Sequence, residues 1–314
     1  MLTPADVMVR VAAWYVGRRG EPVDARTDID TASLKRRFAH LAPVEVTDIA
    51  VPGPHGPVTT RLYRDPTQHA HNAFVWVHGG AFFGGTLDMP ESNWVGLELA
   101  ARGIPTLAVD YRKALHGVKH PIPLDDVQAA WEHAAAHTDE LFGTEVSDTG
   151  RVHLGGASAG GALVAGLALR LRDAGRRLPA SLVLAYPFLH PDLPPNSAET
   201  NERMAKMPAR LRFRPPLVHA LAKHYARAAG LHDPYAFAGV ADELRGFPPT
   251  YILVAAIDDL RSSGELFAHQ LQNAGVRVEL FAEPSATHGH LNHPEANSAQ
   301  RSLKRIRGWV DGFS

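Results

Sequence analysis

RVHLGGASAGGALVAGLALRL, residues 151–171, sets five glycines around one serine where a strand-like run meets a helix-like one. Glycine weakens both kinds of element, so crowding it there makes sense only if the backbone must turn sharply or something must approach it closely. Within the stretch, Gly156-Ala157-Ser158-Ala159-Gly160 fits G-x-S-x-G in the strand-turn-helix context that motif requires. Such a turn strains the serine backbone and would make side chains at 156 and 160 collide. It also lifts the Ser158 Oγ clear of the chain at a helix N-terminus, where free N–H groups and the dipole favour negative charge. A phosphate loop would need Lys before Ser or Thr, whereas Gly160 is followed by Gly161 and Ala162. A glycine turn that merely packs a helix on a sheet stays open at this point.

Outward from this turn, short apolar runs alternate with longer helical patterns. FVWVH (74–78), TLAVDY (106–111), VHL (152–154), SLVLAY (181–186), TYILVAAI (250–257) and VRVELF (276–281) read as strands. Helices are expected over 91–102, 125–137, 162–173 and 262–274, the last opened by a capping box of Ser262 and Glu265 and closed by Gly275. Near-continuous apolar strands separated by single helices imply a mostly parallel sheet covered on both faces, an α/β architecture. EVTDIAV and VTTRLYR, either side of PGPHGP, read as an antiparallel hairpin at one edge. Residues 1–40 and the proline-punctuated insertion 190–240 stand outside the alternation and are expected to build a helical cap on a single domain, 1–314.

A serine hydroxyl needs a base and an acid that orients it. In the chain order of α/β hydrolases the acid follows the serine and the histidine comes last. Asp258 ends the strand TYILVAAI, and His288 lies beyond the last strand in SATHGHLNHP. Asp259 is the alternative acid, but Asp258 is the first residue past the strand and so better placed to point along the sheet edge. His288, His290 and His293 form H-x-H-x-x-H, yet without a close carboxylate a metal is not expected. His78-Gly79-Gly80-Ala81 follows the strand FVWVH, and its small residues let main-chain N–H groups face the serine.

Length and composition permit one large α/β domain with a substantial core, or two small ones, and do not separate the two. The formal net charge of −1 over 314 residues gives no reason to expect nucleic acid or an anionic membrane as partner. With no cysteine, disulfides, thiolate metal sites and a cysteine nucleophile are excluded. The first 20 residues lack a basic leader, and no apolar run approaches the roughly 20 residues that span a bilayer. A cytoplasmic location is the expectation.

These residues resemble the hormone-sensitive-lipase-like family of α/β-hydrolase esterases. The resemblance rests on HGGAFFGG (78–85), DYRKAL (110–115), PLDD (123–126), GGASAGG (155–161), DDLRSSGELFAHQLQNAGV (258–276) and HGH (288–290). It implies hydrolysis of carboxylic esters of modest acyl length without a cofactor, and a cap built from the N-terminus and an insertion like 190–240. By that resemblance Ser158 is the nucleophile, His288 the base and Asp258 its partner. The oxyanion donors are then the N–H groups of Gly80, Ala81 and Ala159, while His78 and Asp110 hold the loop. A homodimer is compatible with it.

Two positions depart from the family pattern. Ala81 stands where a third loop glycine is usual, which narrows the allowed backbone angles. Ala157 stands where an acidic residue usually precedes the nucleophile, which removes a buried carboxylate from behind the site. Phe82, Phe83, Trp94, Phe188, Met204, Met207 and Phe213 are candidates for an apolar substrate pocket. Arg210, Arg212 and Arg214 read as a solvated surface. Amide hydrolysis by the same triad and a non-catalytic ligand receptor on the same scaffold are the competing functions.

Overall fold

A computed structural model describes residues 2–19 and 28–313. Among these residues eight strands form one sheet: β1 (Glu45–Val51), β2 (Val58–Arg64), β3 (Ala73–Val77), β4 (Thr106–Asp110), β5 (Val152–Ala157), β6 (Leu182–Ala185), β7 (Thr250–Ile257) and β8 (Val278–Thr287). Their order across the sheet is β1-β2-β4-β3-β5-β6-β7-β8. The β1–β2 and β2–β4 pairings are antiparallel, and every other pairing is parallel.

Alternation of side chains along each strand explains why these strands read as unbroken apolar runs. Val75, Val77, Leu154, Leu184, Ile252 and Val254 point into the core on one face. Phe74, Trp76, Ala157, Val183, Tyr251 and Leu253 point into the core on the other. The first face is covered by α4 (Ile122–Ala136), α7 (Ala159–Asp173) and α10 (Arg261–Asn273), and the second by α3 (Pro90–Ala100) and α11 (Asn297–Asp311).

The remaining helices are α1 (Pro4–Arg19), α2 (Thr31–Arg37), α5 (Thr138–Phe142), α6 (Thr144–Thr149), α8 (Ala198–Ala205) and α9 (Pro215–Ala226). α1 packs on α9, joined by an ion pair of 2.9 Å between Asp6 and Lys223. α8 and α9 lie in the 190–240 insertion between β6 and β7. Among the described residues no helix is long and apolar enough to cross a membrane.

Three local expectations change. Ser262 and Glu265 do not form a capping box: the Ser262 hydroxyl donates to the Pro194 carbonyl at 2.9 Å, and Glu265 pairs with Arg261 at 2.7 Å. β8 runs on to Thr287, six residues past the apolar run. α11 follows the histidine loop, where the sequence reading places no element. Gly275 does close α10, with φ +75° just past its C-cap Ala274.

Candidate active site

Four loops leave the carboxyl ends of the parallel strands side by side: residue 78 onward after β3, Ser158 after β5, Asp258 after β7 and His288 after β8. Ser158 has φ 52° and ψ −115°, outside the regions open to ordinary L-residues, and caps the N-terminus of α7. The glycines explain how this turn is tolerated. A Cβ on Gly156 would lie 2.5 Å from the Gly160 carbonyl carbon, and one on Gly160 would lie 2.2 Å from the Val77 carbonyl oxygen and 2.5 Å from that of His78. Every one of those neighbours is main chain, which cannot step aside. Gly160→Ala is therefore expected to destabilise the fold by about 3 kcal/mol through overpacking. Thermal denaturation checks it; a melting point within a degree of wild type would contradict the packing.

The structure brings Ser158, His288 and Asp258 together. The Ser158 Oγ lies 2.9 Å from His288 Nε2, and His288 Nδ1 lies 2.7 Å from Asp258 Oδ2. Asp258 is buried, and its Oδ1 accepts from the Leu260 N–H at 3.0 Å. Burial alone would depress the imidazole, yet the charge and hydrogen bond of Asp258 outweigh it and hold the His288 pKa above the ordinary histidine value. Asp259 is not in this line: Arg212 engages it at 2.8 Å from the 209–214 segment. Arg212 is thus largely covered rather than solvated as its sequence context implies. The side chain of Arg210 lies outside the described residues.

His290 turns away from the serine, with Nε2 2.8 Å from the Ser302 hydroxyl of α11, and burial brings its pKa down to about 4. Among the described residues no group of three His, Asp or Glu side chains is placed to hold a metal ion.

The loop after β3 is held from two sides. His78 is fully buried, donates from Nδ1 to the Gly79 carbonyl at 2.7 Å and stacks on Tyr111 at 4.8 Å. Burial and the nearby Lys113 charge keep it below its usual pKa, hence neutral at pH 7. Lys113 bridges His78 Nε2 and Asp110. Gly80, Ala81 and Phe82 take φ of 111°, 51° and 69°. Ala81 thus occupies the left-handed region that a glycine would enter freely, at a cost of order 1 kcal/mol. Among the described residues the N–H groups of Gly80 and Ala81 have no main-chain acceptor.

Sequence reasoning missed Glu91. The family position 157 is a fully buried alanine here, but a carboxylate reaches this region from the first turn of α3 instead. Glu91 Oε1 accepts from the Gly79 N–H at 2.7 Å, and Oε2 accepts from the Tyr186 hydroxyl and from Asn292 Nδ2. One carboxylate therefore ties together the loops after β3, β6 and β8. The Tyr186 ring in turn packs edge-on against both His288 and His290, at 5.1 Å each. In the sequence Glu91 shows only as an acidic residue after Pro90 in a helix's first turn, where any carboxylate is favoured.

Of the aromatic and Met residues read as pocket candidates, Trp94 is part of α3 and points into the core, with its Nε1 3.2 Å from Glu98. Phe82 is fully buried and stacks on Tyr225 at 3.9 Å. Phe213 comes within 4.5 Å of the His288 ring, so this one does face the site.

A model of the alpha/beta hydrolase fold matches residues 74–292. Esterase LipI of Mycobacterium tuberculosis is 33% identical over 283 residues, covering 86% of this chain and 83% of that protein. An ethyl acetate hydrolase of Pseudomonas putida is 28% identical and covers 89% of this chain and 80% of its own length. Among solved structures, a Pyrobaculum calidifontis esterase superposes with a TM-score of 0.75 at 28% identity, covering 91% of this chain and 94% of the other. The sheet order, the serine turn between β5 and α7 and these similarities agree: the chain belongs to the α/β-hydrolase fold family, in the hormone-sensitive-lipase-like group of esterases that its motifs resemble.

Proposed function

We propose that this chain hydrolyses carboxylic esters of short to medium acyl length through an acyl-enzyme on Ser158. The observation that carries this is the continuous relay from Ser158 Oγ through His288 to Asp258, at 2.9 and 2.7 Å. His288 Nε2 removes the hydroxyl proton as Oγ attacks the ester carbonyl, and Asp258 steadies the imidazolium that forms. The carbonyl oxygen gains the negative charge and is met by the N–H groups of Gly80, Ala81 and Ala159. His288 then protonates the departing alkoxide, the C–O bond to the alcohol breaks, and the Ser158 ester is cleaved by a water that the same imidazole deprotonates. No step needs a cofactor. The similarity to Esterase LipI and to the ethyl acetate hydrolase supports an ester as substrate. The described parts of residues 1–40 and the insertion 190–240 are assigned as the cap that excludes bulk water and limits acyl length.

Hydrolysis of p-nitrophenyl esters of increasing chain length, beside anilides with the same acyl groups, tests the reading. The expected result is turnover of the shorter esters, with anilides cleaved about a hundredfold more slowly or worse. Equal rates on the anilides would favour amide hydrolysis. No turnover, with no labelling by a fluorophosphonate, would make the scaffold a receptor.

A further inference from the structure

A cavity of about 750 Å³ opens between α1, α9 and the segment 114–119, and neither Ser158 nor His288 lines it. That volume is in the range of pockets that hold small organic ligands. Its walls are apolar where Val9, Ala13 and Trp14 of α1 face Leu115 and Ala220. Its polar lining is one-sided in charge. Arg10, Arg18, Lys119 and Lys223 stand against one acid, Asp6, in a chain whose formal net charge is −1.

That single acid is already used. Asp6 accepts from Thr3 and pairs with Lys223 at 2.9 Å, which brings its pKa down to about 2. Lys119 is the group left over. Among the described residues its Nζ comes within 3.3 Å of His224 Nε2, but that nitrogen also sits 2.7 Å from the Ala114 carbonyl oxygen. A bond to a carbonyl requires Nε2 to carry the hydrogen, so it has no lone pair for the ammonium. Lys119 is half-buried and has no carboxylate partner among the described residues, nor does Arg10. Burial and the charges of Arg227 and Arg10 push Lys119 down to about 8, the behaviour of a cation missing its anion.

We propose that this cavity is a second binding site, for a carboxylate borne on an apolar chain of medium length. The carboxylate accepts from Lys119 and from Arg10, and the chain lies along Val9, Ala13 and Trp14. The cavity also adjoins the loop after β3: His224 packs edge-on against Phe83 at 5.5 Å, and the Ala114 N–H donates to the Phe82 carbonyl at 2.8 Å. Occupancy is thereby placed next to the loop that carries Gly80 and Ala81.

Titrating the unreacted protein with octanoate, by calorimetry and tryptophan fluorescence, tests this without any ester being turned over, so failure leaves the reading of Ser158 untouched. Saturable binding is expected. Lys119→Met and Arg10→Met should each raise Kd about tenfold, since each removes a charge-assisted hydrogen bond. Octanol should bind much more weakly than octanoate, and Trp14→Phe should abolish the fluorescence change. Arg10 is exposed, so its variant keeps the test alive if Lys119→Met fails to fold. No binding up to about 5 mM, weaker than any Kd of use here, or a Kd unchanged in the charge variants, would overturn the proposal.

Discussion

Ser158→Ala is expected to lower kcat on a short p-nitrophenyl ester by about 10⁴- to 10⁶-fold while the protein stays folded. The size follows from what the residue does in the proposed mechanism: without Oγ no acyl-enzyme forms, and water must attack the bound ester directly. A residue of catalysis should persist, because the donors on Gly80, Ala81 and Ala159 are main-chain groups that the substitution leaves in place. The folded state should barely change. Among the described residues the hydroxyl's one hydrogen-bond partner is His288 Nε2, and the strained φ of 52° belongs to the turn rather than to the side chain. The melting temperature should therefore move by only a few degrees, consistent with loss of one hydrogen bond worth about 1 kcal/mol. Two measurements decide it together, kcat and thermal denaturation. Wild-type turnover would remove Ser158 from the mechanism, and a collapsed melting point would make the lost activity uninformative.

The parts of this molecule legible in its sequence are those set by local periodicity and main-chain geometry. TYILVAAI reads as β7 to the residue because an apolar run rich in β-branched residues is bounded by Pro248 and Pro249 on one side and Asp258 on the other. β8 is less legible, since Glu283 and Pro284 interrupt its apolar pattern. It continues because it is an edge strand paired only with β7: a proline there forfeits no central hydrogen bond, and Glu283 is matched by Arg301 from α11. Nothing local in the chain announces that partner. The same limit applies around the serine. The order serine, aspartate, histidine and the glycines of the turn can be read one residue at a time. Glu91 cannot, because its three partners, Gly79, Tyr186 and Asn292, meet only after the five strands from β3 to β8 have been laid side by side. Arg212 follows the same rule: a charge in a polar segment reads as solvated until β7 presents Asp259 to it.

Asp258→Asn is expected to cost about 10⁴-fold in kcat although it changes only one atom type. Asp258 makes two hydrogen bonds that constrain how an amide would sit. Its Oδ1 accepts from the buried Leu260 N–H at 3.0 Å, so the amide oxygen of an asparagine is held there. The amide NH₂ then faces His288 Nδ1, where it donates instead of accepting. A neutral imidazole answers by moving its proton to Nε2, and the nitrogen 2.9 Å from Ser158 Oγ becomes a donor unable to take the serine proton. The pH profile supplies an independent readout. In the proposed mechanism His288 acts as a neutral base, so the wild-type rate should fall as pH drops through a pKa raised above the ordinary value near 6.5 by Asp258. Removing that charge leaves burial dominant, so the acid limb of kcat/KM should move to lower pH even as the plateau collapses. Asp259→Asn is the control: its carboxylate is bound to Arg212, and its charge is a lesser influence on His288. That variant should lose stability through the broken buried pair while keeping its rate within about tenfold. If instead Asp259→Asn abolished turnover and Asp258→Asn retained it with an unmoved acid limb, the orienting acid would be the second aspartate, and Arg212 would have to release it for the imidazole.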